Sequence, residues 1–242
     1  MTDNIYFHLI IFVAGFTQGF TGFGSVLVGL PLLTMLLDVR TTVPLICLLA
    51  LCISSILFMK LREHLHWVRV RVLLIASAPG IVFGVYALKR IPVHFLEIAI
   101  GIVLVLFPLY RLGAKAPEFG IPERWAWVFG FLSGILGGSI GANGPPVIIY
   151  TTQQPWGKYS IKSVLVGYFL VSGICISSVH AASGLITSQV LVLFTAGLPA
   201  LVTGVLSGSY LFGRVDSEKY RKVLYVLLIL LGVLMLVKAV AN

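Results

Sequence analysis

Among the polar side chains within the apolar runs of this sequence, two groups stand beside glycines and prolines. Gln18, Thr21 and Ser25 stand around Gly22-Phe23-Gly24; Ser139 and Asn143 stand around Gly141-Ala142, with Gly144-Pro145-Pro146 following. Uncharged hydroxyls and amides donate and accept hydrogen bonds, so the chemistry they offer is the holding of a polar ligand. A different chemistry is suggested by Gly137-Gly138-Ser139-Ile140-Gly141, which fits the Gly-x-Ser-x-Gly nucleophile pattern, with His180 available as a base. That pattern works on a strand-to-helix elbow, and the matching Phe23-Gly24-Ser25 lacks the spacing, so a serine hydrolase is the weaker reading. Cys47, Cys52 and Cys175 lie in apolar runs without ligand spacing and imply neither a disulfide framework nor a zinc site. No cofactor is expected.

The two polar clusters sit in two copies of one pattern. Sliding the chain on itself by 115 positions superposes Gly15 on Gly130, Phe16 on Phe131, Gly19 on Gly134, Gly22 on Gly137, Gly29 on Gly144 and Pro31 on Pro146. Farther on, Cys52-Ile53-Ser54-Ser55 recurs as Cys175-Ile176-Ser177-Ser178. Pro79 and Gly84 match Pro199 and Gly204 at a spacing of 120, and Arg90 matches Arg214 at 124. The chain therefore reads as two related halves, residues 1–115 and 116–242, each headed by a broken apolar segment.

With 59% hydrophobic and 10% charged residues and a mean hydropathy of +1.05, these 242 residues lie outside the range of soluble domains, about a quarter of whose residues are charged. An integral membrane protein is expected. At roughly 20 residues per crossing there is room for about eight helical segments and no sizeable domain outside the bilayer. The net charge of +9 would suit nucleic acid, but the basic residues occupy short loops between apolar runs, where orientation in the membrane accounts for them. No nucleic-acid partner is expected. Asp3, the lack of basic residues near the N-terminus and the absence of a cleavage site after the first apolar run argue against a cleaved signal peptide.

No Asp, Glu, Lys or Arg falls between Asn4 and Leu37 or between Trp125 and Gly157. As one helix either stretch would be about 50 Å long, well beyond a bilayer core of roughly 30 Å. Glycines with the Pro31 and Pro145-Pro146 breaks predict re-entrant helical hairpins over about 5–37 and 125–152. Ordinary helices are predicted over about 42–59, 72–88, 93–110, 163–180, 189–212 and 223–237.

Charge supports the turn-back. If all eight segments cross once, the 17 basic residues divide 9 to 8. If the second long stretch is a hairpin, thirteen fall on one side and only Arg40, Lys89, Arg90 and Lys238 on the other. The positive-inside rule makes the thirteen cytoplasmic and the C-terminus external. The first stretch has no basic residue to place; the repeat alone makes it a hairpin and leaves the N-terminus external. Each half is then one hairpin plus three crossings, an odd number. The halves of this all-α, multi-pass protein are inverted relative to each other, the architecture of many secondary transporters.

Gly15-Phe16-x-Gln18-Gly19-Phe20-x-Gly22-Phe23-Gly24 in the first half, with Gly130-Phe131-x-Ser133-Gly134-x-x-Gly137-Gly138 and Gly144-Pro145-Pro146 in the second, resembles the TauE/SafE sulfite exporters, also called the toluenesulfonate uptake permease family. The resemblance covers the whole chain. It implies a transporter in the cytoplasmic membrane for small sulfur-containing anions (sulfite, sulfoacetate or other organosulfonates). Its partners would be that anion and the lipid bilayer, with a homodimer left open.

Such an anion needs donors near the bilayer midplane. Every Lys and Arg can be placed near a membrane face, so the site is expected to work without a full positive charge, through the N-terminal ends of half-helices. The substrate-binding candidates are Gln18, Thr21, Gly22, Phe23, Gly24 and Ser25 at the first turn, with Ser139, Gly141, Ala142, Asn143, Gly144 and Pro145 at the second. Inverted packing would bring the two turns together. The basic loop residues are expected to be individually replaceable, and Ser54, Ser55, Ser177 and Ser178 to bond their own helices. Cys52 and Cys175 are expected to fill space and His180 to be a neutral structural histidine. A passive anion channel could use the same turns, and a membrane scaffold is the blandest alternative.

Overall fold

The protein, as a computed structural model that describes residues 5–65, 67–88, 93–113, 120–140 and 143–241, is all-helical over those residues. Side chains are described for all of these except 39, 84–88, 93–97, 99–100, 137–140, 235 and 238–241. The first long apolar stretch forms α1 (Ile5–Thr21) and α2 (Ser25–Thr34). It is followed by α3 (Val39–Leu61), a single 3-10 turn (Arg62–His64), α4 (Trp67–Leu88) and α5 (Val93–Gly113). The second long stretch forms α6 (Trp125–Ile140) and α7 (Gly144–Thr152), followed by α8 (Lys158–Ala182), α9 (Ser188–Arg214) and α10 (Ser217–Ala241).

By length and composition, α3, α8 and α9 are each able to cross a bilayer, and shorter apolar helices accompany them. Three helix starts carry short polar caps. Asp38 accepts from the Arg40 N–H at 2.8 Å, Thr187 from that of Val190 at 3.3 Å and Asp216 from that of Lys219 at 2.7 Å. The bond to Lys219 holds the exposed Asp216 carboxyl below its usual range.

Two compact units result, and they do not follow the order of the chain. One comprises Met1–Leu65 with Leu165–Val215, the other His66–Val164 with Asp216–Asn242. Within the first, α1 lies directly on α9. A Cβ added to Gly15 would stand 2.8 Å from the Leu201 carbonyl oxygen, and one on Gly19 2.6 Å from that of Val205. In return, Gly204 and Gly208 of α9 press on the carbonyls of Phe12 and Phe16. Small residues four apart allow this backbone approach where no hydrophobic force draws helices together within lipid. Phe7, Ile11, Leu33, Leu45, Leu49, Ile53, Leu57 and Leu201 fill the space around the seam.

The second unit makes the same contact with its own residues. A Cβ on Gly130 of α6 would lie 2.7 Å from the Leu73 carbonyl oxygen, and Gly134 presses on that of Ser77. Gly80 of α4 presses on the Phe131 carbonyl as Gly208 does on that of Phe16. Phe16 and Phe131 align at the 115-residue offset, and the glycines that press on them, Gly208 and Gly80, lie 128 positions apart, against the 120 between Pro79 and Pro199. The two spacings differ by eight residues, about two helical turns.

These contacts predict a reversal of the usual helix preference. Alanine is favoured over glycine in a helix by about 1 kcal/mol. Gly208→Ala should nevertheless destabilise the protein, by about 1–3 kcal/mol, because its Cβ has no room against the Phe16 carbonyl. Gly213→Ala on the same helix meets nothing within 4 Å and should be neutral or mildly stabilising. Melting temperatures of the detergent-purified variants check the pair; a stabilised Gly208→Ala protein would contradict the packing.

Candidate functional site

The first turn is built by two glycines that only a residue without a side chain suits. Gly22 and Gly24 have φ of 88° and 97°, in the left-handed region. The Gly22 N–H closes α1 on the Gln18 carbonyl at 2.7 Å, and α2 begins one residue after Gly24. Thr21 braces the turn: its hydroxyl is offered to the Thr17 and Phe23 carbonyls at 2.7 and 2.5 Å and accepts from the Phe23 N–H at 3.2 Å. α2 then folds back along α1, where Gly29 approaches Ala14.

A buried polar chain links this turn to α3. Ser25 Oγ donates to Gln18 Oε1, and Gln18 Nε2 donates to Ser54 Oγ at 3.0 Å. The three residues are 1%, 3% and 1% exposed. Among the described residues Ser54 has no bond to its own helix, whereas its neighbour Ser55 donates to the Leu51 carbonyl at 2.9 Å. Thirty-six residues separate Gln18 from Ser54, and no local pattern announces the pair. At the head of α2 the first intrahelical bond runs from the Val28 N–H to the Gly24 carbonyl at 3.1 Å. The N–H groups of Gly24, Ser25, Val26 and Leu27 have no acceptor within the helix.

The second turn is a poorer donor. α7 folds back along α6, with the rings of Phe129 and Tyr150 5.8 Å apart, and Ser133 Oγ donates to the Asn143 carbonyl. Asn143 caps α7 without a side-chain bond, and Pro145 and Pro146 occupy its first turn. Prolines carry no N–H, so of the four unbonded positions only Asn143 and Gly144 present one. Gly141, Ala142 and the Ser139 side chain lie outside the described residues. Gln18, Thr21, Gly22, Phe23, Gly24 and Ser25 are thus gathered at one turn of the first unit, and Asn143, Gly144 and Pro145 stand at a turn of the second.

At the far end of α7 lies a feature that composition concealed. Arg221 of α10 is only 8% exposed. Its Nη1 donates to the Thr152 carbonyl at 2.9 Å, and its Nη2 to those of Gln154 and Trp156 at 2.8 and 2.9 Å. The last carbonyls of a helix lack donors, and a guanidinium there meets the negative end of the helix dipole. Gln154 Nε2 donates to the Ile121 carbonyl at 3.0 Å, and the Arg69 guanidinium stacks 4.1 Å from the Trp156 ring. The expectation that basic loop residues are individually replaceable therefore does not extend to Arg221. Helical spacing held the signal: Arg221 shares a face with Leu224, Tyr225 and Leu228, all buried.

Cys52 is half-buried and Cys175 exposed, both as free thiols. Comparison with known proteins completes the picture. The family profile of the sulfite exporter TauE/SafE matches residues 7–235. A protein of Cupriavidus necator named a probable sulfite/organosulfonate exporter TauE is 25% identical over 233 residues, covering 93% of this chain and 90% of that protein. No solved structure matches the chain. Members of such a family move solutes and are not enzymes, which sets aside the nucleophile reading of Ser139. With a match from residue 7 to residue 235 over apolar, glycine-packed helices, the chain is a multi-pass membrane transporter and belongs to the TauE/SafE sulfite exporter family.

Proposed function

We propose that this protein is a secondary carrier for a small sulfur-containing anion, sulfite or an organosulfonate such as sulfoacetate, bound near the bilayer midplane at its glycine-rich turns. The observation that carries this reading is the Gly22-Phe23-Gly24 turn, where two left-handed glycines present the head of α2 beside buried Gln18, Ser25 and Ser54. The helix head contributes a partial positive charge and unbonded N–H groups. One Gln18 N–H and the Ser54 proton are not engaged among the described residues and can join them. Hydrogen bonds to an ionised acceptor are roughly twice as strong as neutral ones, so several converging donors offset the loss of water without a buried cation.

The substrate class comes from the name of the Cupriavidus necator relative and from the family. In this reading the two halves are inverted repeats in the cytoplasmic membrane, each a hairpin with three crossings, and both termini are external.

A ligand that binds only the folded state raises its stability by mass action. The purified protein should therefore melt higher with sulfite, thiosulfate, sulfoacetate or taurine than with sulfate, nitrate or formate. A flat panel, or stabilisation by nitrate and formate alone, would remove the sulfur-anion reading. Counterflow of labelled substrate in proteoliposomes then separates a carrier, which shows trans-stimulation, from a pore, which does not.

A further inference from the structure

The two halves treat one serine differently. In the first half Ser54 accepts from Gln18 at 3.0 Å. The second half keeps that serine as Ser177, but Ser133 stands 115 positions after Gln18, and its shorter side chain donates to the Asn143 carbonyl within its own turn. Ser177 is 7% exposed, and its hydroxyl is buried with no hydrogen-bond partner among the described residues. One turn farther along α8, His180 Nδ1 is in the same condition. Leu57, which stands as far before His180 as Ser54 before Ser177, is a fully buried apolar residue. The polarity at this point therefore belongs to the second half alone.

A buried donor or acceptor left unpaired costs free energy comparable to a lost hydrogen bond, and native structures rarely keep one without a use. Two on one helix face, at i and i+3, have Cβ atoms about 5–6 Å apart. That separation lets both side chains converge on one small solute. We infer that Ser177 and His180 form a second anion-binding step on α8, in which the Ser177 O–H and the His180 Nδ1–H donate to two oxygens of one sulfur oxyanion. The inference rests on the carrier reading above. The pair lies in the last two turns of α8, which ends at Ala182, and so marks an entry or exit step on the path.

The test uses the full-length protein in detergent, titrated with sodium sulfite and with methanesulfonate while its melting temperature is followed. Ser177→Ala should leave the ligand-free melting temperature unchanged or raised, because it deletes an unpaired group. It should weaken anion binding about tenfold, the equivalent of one hydrogen bond of about 1.4 kcal/mol. His180→Phe, which keeps a ring but no donor, should weaken binding to a similar degree. Ser177→Thr and His180→Gln, which keep a donor, should retain most of it, and Ser178→Ala at the exposed neighbouring position should change nothing.

A fall in ligand-free stability with unchanged anion affinity in Ser177→Ala would show a structural hydrogen bond and overturn the inference. Unchanged stability with unchanged affinity would leave only a water there and overturn it equally. If the wild type itself shows no anion shift, the carrier reading falls and this inference with it. If the wild-type shift disappears in a Gly24 variant but survives Ser177→Ala and His180→Phe, only this inference falls.

Discussion

Arg221→Ala should be among the most destabilising single substitutions in the chain, costing about 3–5 kcal/mol, as removing one partner of a buried charged network does, because three carbonyls share this guanidinium. The alanine protein leaves the carbonyls of Thr152, Gln154 and Trp156 without donors and removes the positive charge from the C-terminal end of α7. Arg221→Lys should recover only part of the loss, because one ammonium cannot reproduce the fork that spans three carbonyls.

Lys219→Ala and Lys222→Ala are the comparisons. Their ammonium groups pair with Asp216 at 3.1 Å and Glu218 at 2.7 Å on the exposed side of α10, and pairs of that kind contribute little. Thermal melts of the four variants in one detergent decide the matter. An Arg221→Ala protein that melts with the two lysine variants would show that the three carbonyls find other partners. Activity offers a second readout, because α7 carries the second turn at its other end and loses an anchor when Arg221 goes.

How far the sequence reveals this arrangement depends on what kind of fact is asked of it. The helical class and the two breaks follow from apolar runs too long for one crossing and from glycine and proline within them. The division of labour among the glycines does not. Gly15 and Gly19 let α1 touch α9, while Gly22 and Gly24, a few residues on, turn the chain through left-handed backbone. One residue type serves both purposes, and only the sign of φ or the neighbour across the seam separates them.

Pairing of helices is hidden for a related reason. A duplicated sequence states that α4 and α9 are counterparts, but not which hairpin each accompanies. α1 packs on α9 and α6 on α4, partners far apart in the chain. The Gln18 to Ser54 bond joins residues with no local relation, and Ser133, 115 positions after Gln18, bonds within its own turn instead. Arg221 is legible too: its charge points to a membrane face, but its phase on α10 points inward.

The largest expected loss of function lies at the turns. A leucine at Gly22 must adopt a backbone conformation that costs an ordinary residue roughly 1–2 kcal/mol, and the chain will relieve that strain by moving the head of α2. At Gly24 even alanine would place its Cβ 3.2 Å from the Thr17 methyl group, in addition to the left-handed φ. If the turn served only to end one helix and start another, these changes would lower the melting temperature while each folded molecule transported normally. If the turn holds the anion, transport of labelled sulfite into proteoliposomes should vanish in Gly22→Leu, beyond anything the loss of folded protein explains. Gly24→Asn should then be milder than Gly24→Ala, because asparagine tolerates left-handed backbone. Gly144→Leu probes the second turn: it keeps the backbone N–H, one of the two that Pro145 and Pro146 leave at the helix head, but sets a bulky side chain beside it. Loss of transport in both leucine variants, at normal abundance in the membrane, is the outcome expected if each turn serves the substrate. Normal transport in both would put the anion elsewhere on the path and leave the turns a purely structural task.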